Sequence, residues 1–240
     1  MDEAYESGHW YFAYGSNMSA SVFTTRRKIE PLQTEVACIK SHTLCFNIMG
    51  VPYSDPGMGG LRKIEDGEES AGIGPVFGVA YLLSRDNFGR VIASEGGGIA
   101  YKVVRLAATF QKDGSVVPVY TLVGRHEIDS SYERLPSARY MGLLIRGARE
   151  QSLPQSYQER LVAQPIFKAP QSIRYSTGKW TFDALWKRVQ WCIERGVRQF
   201  KDDEGHVPGW FLTGFDYLLW TMWMHHDYIH SRVWGRGDGR

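Results

Sequence analysis

Apolar positions in the first half of the chain fall in short runs of strand length, whereas in the last third they recur at helical spacing. Residues 10–14 are an aromatic run ending in Gly15-Ser16-Asn17, read as a buried strand that breaks into a tight loop. Residues 35–39 and 43–48 carry two further β-like stretches. Residues 50–74, rich in Gly, Pro, Asp and Glu, read mostly as loop, interrupted by a short strand at 61–64. The run 75–83 is a strong apolar strand, and Ser84 then offers an N-cap, with Asp86 in the first turn, for a helix to about Ala93. Glu95-Gly96-Gly97-Gly98 breaks that helix. Residues 101–110 and 116–123 form two more strands around the turn Lys112-Asp113-Gly114.

Two helices follow, one over 137–149 and one opening at Ser152, with Pro154 in its first turn and Gln155 completing a capping box. From residue 171 onward the character changes. Residues 182–200 place Phe182, Leu185, Trp186, Val189, Cys192 and Ile193 on one helical face. A polar break at 201–205 leads into the very aromatic stretch 210–234. The apolar part, 210–224, is short for a membrane span, which needs about 20 apolar residues. A core-packing helix is expected, with interfacial membrane contact and a homodimer contact as the alternatives. Strands dominate the first half, which argues for an α+β domain built on an antiparallel sheet or barrel.

Composition narrows the function classes. The formal charge of +2 and the absence of a Lys/Arg block longer than Arg26-Arg27-Lys28 leave no footprint for nucleic acid, and that short run reads as a solvated face. Cys38, Cys45 and Cys192 are three in number and form no CxxC pair, which fits a reducing compartment and a cytoplasmic location. The polar, acidic segment 1–8 lacks a signal-peptide profile. His226 and His230 have the i, i+4 spacing of a metal pair, but no further ligand cluster accompanies them; packed or solvent-facing histidines, and no metal, are expected. The glycine run 96–98 is not a dinucleotide fingerprint, because it lacks the GxGxxG spacing.

Two features carry chemistry. In Tyr14-Gly15-Ser16-Asn17, a glycine after a buried strand lets backbone N–H groups approach a ligand, and Ser16 and Asn17 add side-chain donors. Alone, such a turn is more often structural. Glu95, beside flexible backbone just past an apolar helix, is a candidate proton shuttle, against the plain alternative of a solvated loop carboxylate.

Their order along the chain changes that balance. Tyr11-Phe12-Ala13-Tyr14-Gly15-Ser16-Asn17-Met18 resembles the signature opening of the γ-glutamylcyclotransferase family. Gly78-Val79-Ala80-Tyr81, then a helix, Glu95-Gly96 and Tyr101 resemble its second motif. Pro136-Ser137-Ala138-Arg139-Tyr140, Gly147-Ala148-Arg149-Glu150 and Tyr157-Gln158-Glu159 resemble its third. The resemblance is collinear over 9–165. It implies a mixed barrel with flanking helices, and a cofactor-free intramolecular attack of an α-amine on its own γ-carbonyl that releases 5-oxoproline and an amine. Carried over residue by residue, it makes Glu95 the catalytic acid/base. It puts Tyr11, Phe12, Ala13, Tyr14, Gly15, Ser16 and Asn17 in the substrate-binding loop and makes Tyr140 a ligand contact. The stretch from Glu95 to Tyr101 is one residue shorter than in animal members, and Tyr101 receives no role.

The expected organisation is a catalytic domain over 1–168 and a Trp-rich helical extension over 169–240. Such an extension resembles that of cyclotransferases in fungal secondary-metabolite clusters of the gliotoxin type, whose substrate is a bulky glutathione adduct. A γ-glutamyl dipeptide or glutathione, a γ-glutamylamine, and a non-catalytic binding module of the same fold are the other readings.

Overall fold

The computed structural model describes residues 8–68, 73–95, 98–125 and 133–240; the polar segment 1–7, and Gly96 and Gly97 of the glycine run, lie outside the described residues. The strands are β1 (His9–Ala13), β2 (Gln33–Ile39), β3 (His42–Val51), β4 (Asp55–Lys63), β5 (Val76–Leu83), β6 (Tyr101–Phe110) and β7 (Val116–Gly124). Five of them close into a barrel in the order β1-β5-β2-β6-β7. Neighbours are antiparallel except where β7 meets β1 in parallel, with Tyr11 opposite Tyr120, so the barrel is mixed. Closure removes the exposed strand edges of an open sheet.

β3 and β4 form a separate hairpin, and here the short strand expected at 61–64 within a mostly loop segment is corrected to a strand of nine residues that starts earlier, Asp55–Lys63. Its glycines are not turn glycines. A Cβ on Gly59 would stand 2.9 Å from the Tyr140 hydroxyl, and one on Gly60 would stand 2.3 Å from Asn47 Oδ1. They are strand glycines, kept bare where other groups press close.

The helices are α1 (Arg85–Ser94), α2 (Ala138–Glu150), α3 (Gln155–Ala163), α4 (Ile173–Phe200), α5 (Gly209–Met224) and, after a π-helical turn at His225–His230, α6 (Ser231–Trp234). Ser84 and Ser137 cap α1 and α2 as their positions suggest. Ser152 does not open α3. Its φ of 52° places it in the left-handed region, and its N–H bonds Arg149 while Leu153 N–H bonds Ala148. That is the Schellman ending of α2, and α3 begins at Gln155 behind Pro154. α4 starts well before residue 182, capped by Ser172, whose hydroxyl accepts the Tyr175 N–H at 3.1 Å. Its buried stripe is narrower than expected: Phe182 and Trp186 are buried, but Leu185 and Cys192 are exposed.

Among the described residues, three apolar clusters hold the molecule together. The largest fills the barrel and reaches α2 and α3 through Leu144, Ala148 and Leu161. The second joins Tyr53 beyond β3 to Tyr175, Phe182, Trp186, Met222 and Trp223. The third joins Ile99, just after the glycine run, to Val197 and Val207. α5 buries Met222 and Trp223 but leaves Trp210, Tyr217 and Trp220 exposed, so it packs on one side only. Among the described residues, no helix is long and apolar enough to cross a membrane.

Candidate active site

At one end of the barrel lies a cavity of about 350 Å³, and β1, the turn after it and the end of α1 converge there. The period-two alternation of β1 separates its residues. Tyr11 lines the cavity, whereas Phe12 and Ala13, 0% and 1% exposed, lie in the core and do not line it. The structure thus places these two members of the expected binding run in the barrel core, where the Phe12 carbonyl accepts a hydrogen bond from the Thr121 hydroxyl. A 3₁₀ turn, Ser16–Met18, follows β1 with Gly15 at its head. A Cβ on Gly15 would stand 3.3 Å from the Tyr140 hydroxyl, so that position is tight against the cavity wall. Tyr14, Gly15, Ser16 and Asn17 all line the cavity. The Tyr14 hydroxyl is committed to the Leu122 carbonyl. Tyr81, on β5, bonds the carbonyls of Asn17 and Met18 at 3.2 and 3.3 Å and so steadies the turn. Behind Tyr11, the ring of Phe23 stacks between Tyr11 and Tyr81.

Glu95 caps the C-terminal end of α1, its N–H bonded to the carbonyls of Val91 and Ile92. Its carboxylate enters the same cavity. Asn17 Nδ2 donates to Glu95 Oε1 at 2.9 Å and to the Tyr11 hydroxyl at 3.0 Å. Arg27 forms an ion pair with Glu95 Oε1 at 2.6 Å, the two side chains being 9% and 18% exposed. Arg27 also donates to the Ser94 hydroxyl. The expected solvated face at Arg26-Arg27-Lys28 is therefore corrected at Arg27, which is buried against the carboxylate. Nothing in the chain marks Arg27 in advance, because a turn and a π-helical segment bring it back to the cavity.

Tyr140, at the first turn of α2, accepts the Gly59 N–H at 3.0 Å and lines the cavity with Tyr101. Burial, with the nearby Glu95 charge as a smaller cause, pushes the Tyr11 and Tyr140 hydroxyls well above the usual tyrosine value. Burial does the same to Tyr101, helped by Tyr140 and Glu95. All three stay protonated and can donate. Asn17 Oδ1 is buried without a hydrogen-bond partner among the described residues. An unpaired acceptor beside a carboxylate is a costly arrangement for a resting protein, and it fits a ligand that donates there. Gln190, from α4, also lines the cavity, a contribution no short motif predicts.

The histidine pair is occupied otherwise. His226 Nδ1 meets the Asp227 carboxylate at 2.8 Å and its Nε2 accepts the Gly237 N–H at 3.1 Å, while His230 Nε2 lies 2.8 Å from the Gly178 carbonyl. The donor atoms of His226, Asp227 and Asp238 do come within 4.8 Å of one another. Both carboxylates are held by Arg236, and Asp238 also by Arg134, which makes the group an ion-pair network.

Comparison with known proteins gives matches in both parts of the chain. An AIG2-like family model matches residues 75–161 and an AclK C-terminal domain model matches residues 172–233. The chain is 54% identical to the γ-glutamyl cyclotransferase gliK of Claviceps purpurea, over 93% of this chain and 100% of the relative. It is 35% identical to gliK of Aspergillus fumigatus, over 97% of this chain and 90% of the relative. Among solved structures, a γ-glutamyl cyclotransferase superposes with a TM-score of 0.55 at 21% identity, covering 69% of this chain and 93% of the other; at that identity it speaks for the fold alone.

Proposed function

The chain belongs to the γ-glutamyl cyclotransferases, and from that premise we propose that Glu95 is its proton shuttle and that its substrate is a bulky γ-glutamyl adduct. The enzyme cyclises a γ-glutamyl group to 5-oxoproline and releases the free amine. In the proposed mechanism the substrate folds so that its α-amine faces its own γ-carbonyl. Such preorganisation of an intramolecular attack contributes about 7 kcal/mol or more in favourable cases. Glu95 takes a proton from the attacking amine as the new C–N bond forms. It returns that proton to the departing nitrogen as the amide C–N bond breaks, and no water is consumed. One carboxylate serves both steps.

The observation that carries this reading is the clamp on Glu95: one amide nitrogen and one guanidinium hold the carboxylate at the cavity. The orphaned Asn17 Oδ1 offers an acceptor for the substrate amine. Backbone N–H groups of the Gly15-Ser16-Asn17 turn and the protonated hydroxyls of Tyr11 and Tyr140 are available to the α-carboxylate or to the oxyanion that develops in the attack. Support for a large amine side comes from Gln190, which brings α4 into the cavity wall. We further propose that 1–168 act as the catalytic unit and 169–240 as an extension shaping substrate access. Free Cys38, Cys45 and Cys192 support a cytoplasmic site of action.

The test is 5-oxoproline release from a γ-glutamyl dipeptide and from S-substituted glutathione adducts, with Glu95→Gln as control. Release that favours the adducts and falls about 100-fold or more in the variant, with binding retained, is expected. Robust turnover by the folded variant would overturn the assignment.

A further inference from the structure

A second concavity, of about 470 Å³, adjoins the first between α1 and the C-terminal end of α4. The two share Arg27 and Ser94 as a common wall. Its lining is strongly cationic: Arg27, Arg90, Arg198 and Lys201 stand against two acids, Asp86 and Asp203. Among the described residues, Arg90, Arg198 and Lys201 are poorly partnered, whereas Arg27 is paired with Glu95. Arg90 reaches only the Lys28 carbonyl at 3.5 Å, Arg198 bonds the Glu194 carbonyl of its own helix at 3.2 Å, and Lys201 has no carboxylate partner. Arg27 Nε is buried and unbonded.

The groove is held in shape by close packing. Gly205, with φ of 87°, brings the segment after α4 so near to α1 that a Cβ there would stand 2.4 Å from the Gly89 carbonyl. Val197 and Val207 are buried with Ile99 just beneath. Arg198 and Lys201 are thereby presented alongside Arg90 of α1. Cations that line a concavity with few acids beside them attract an anion and raise its local concentration.

The direction of the reaction says which anion. Glu95 serves the departing nitrogen, and its carboxylate touches Arg27, the shared wall. A departing chain that leaves past Arg27 enters the cationic groove. In a γ-glutamyl tripeptide the terminal carboxylate follows the scissile nitrogen by two residues, about 7 Å of extended chain. The geometry points to a subsite, formed by Arg90, Arg198 and Lys201, for a carboxylate on the amine side of the substrate. The enzyme would thus select γ-glutamyl peptides that end in a free carboxylate over uncharged γ-glutamyl amines. This inference rests on the cyclotransferase reading for the direction of the departing chain.

Its test compares S-benzylglutathione with the same compound amidated at its glycine carboxylate. KM is read from 5-oxoproline release, and Kd by calorimetry on Glu95→Gln protein. Amidation is expected to weaken both by about 10-fold or more, the scale of a charge-assisted contact. In Arg90→Gln/Arg198→Gln/Lys201→Gln protein, checked for folding by circular dichroism, the ratio of acid to amide should collapse toward one. The charge-preserving Arg198→Lys/Lys201→Arg protein should keep it. Equal KM and Kd for acid and amide in the otherwise unaltered protein, or a ratio indifferent to the neutralised cations, would overturn the subsite. If neither compound yields 5-oxoproline while the acid still binds more tightly in a manner dependent on Arg198 and Lys201, the cyclotransferase reading falls and the subsite stands.

Discussion

Asn17 and Arg27 set the geometry of Glu95 from two sides, one through a neutral amide and one through a charge. Replacing Asn17 with Ala removes the bridge to both Glu95 and Tyr11 and leaves a small void. Turnover should fall about 10- to 100-fold, because a displaced proton shuttle loses its alignment with the reacting atoms. KM should change less than kcat, and a change confined to KM would show that Asn17 only binds substrate. Arg27→Lys tests the fork geometry: one ammonium cannot span Ser94 and Glu95 as a planar guanidinium does. We expect Arg27→Lys to retain more activity than Arg27→Gln but less than Arg27 itself. Equal activity in all three proteins would mean that the ion pair has no part in turnover. Glu95, Tyr11 and the Tyr14–Asn17 turn were singled out in the chain by the collinear order of the family's motifs, since each alone reads as an ordinary loop feature. Arg27, and the withdrawal of Phe12 and Ala13 into the core, were not legible, because only barrel closure decides which face of β1 meets the cavity.

At the scale of elements, α5 reaches the cavity end of the barrel through Arg125, which follows β7. Arg125 donates from its backbone N–H to the Ala100 carbonyl at 3.0 Å and from Nε to the Ile99 carbonyl at 2.8 Å. Its guanidinium also pairs with Asp216 of α5. The backbone that follows the glycine run is thus tied to the extension. Asp216→Ala should cost about 1 kcal/mol of stability, since the pair is part-exposed. It should also lower kcat on a small γ-glutamyl dipeptide, a substrate too short to need the extension as a binding wall. Unchanged kcat would mean that burial of Ile99 suffices to hold that backbone. Strands and helices with clean periodicity, such as β5, β6 and α1, matched their sequence patterns to within a residue or two. β4 did not, because Gly57 and Gly59 admit the approach of Arg134 and Tyr140, distant in the chain, and Gly60 that of Asn47 on the partner strand. Likewise, the first turns of α4 lack an apolar face of their own and are fixed by Tyr175 and Gly178, which pack against Tyr53 and Trp234. Tertiary contact chose the conformation in both cases.

Across the whole molecule, the C-terminal helices meet the end of the β3–β4 hairpin around buried His226. Burial holds its pKa below the ordinary 6.5, against the opposing hydrogen bond to Asp227. Its Nε2 accepts the Gly237 N–H and cannot take a proton without giving up that bond. A depressed folded value means that the contribution is complete above the ordinary value and is lost as pH falls through the folded one. Thermal melts followed by tryptophan fluorescence should therefore show the extension loosening as pH drops from about 7.5 to about 5. The same melts on His226→Gln should lose most of that slope. A flat melting temperature over this range would rule out His226 as the sensitive group. Asp238 acts further down the scale. Burial would raise its pKa, but Arg236 and Arg134 outweigh that and hold it at about 2, so its tether persists until strong acid.

The junction also has a temporal side. The Tyr53 N–H is satisfied by the Gly237 carbonyl at 2.6 Å, and Leu135 N–H by Gly239 at 2.8 Å. Synthesis runs from the N-terminus, so a growing chain displays the rim of the β3–β4 hairpin long before its partner segment has left the ribosome. Completion of that rim is a late event separated by most of the chain, and contacts of such high sequence separation form slowly. During that interval the nascent protein carries an open backbone edge beside Tyr53, the kind of surface that chaperones hold and that self-associates when they do not.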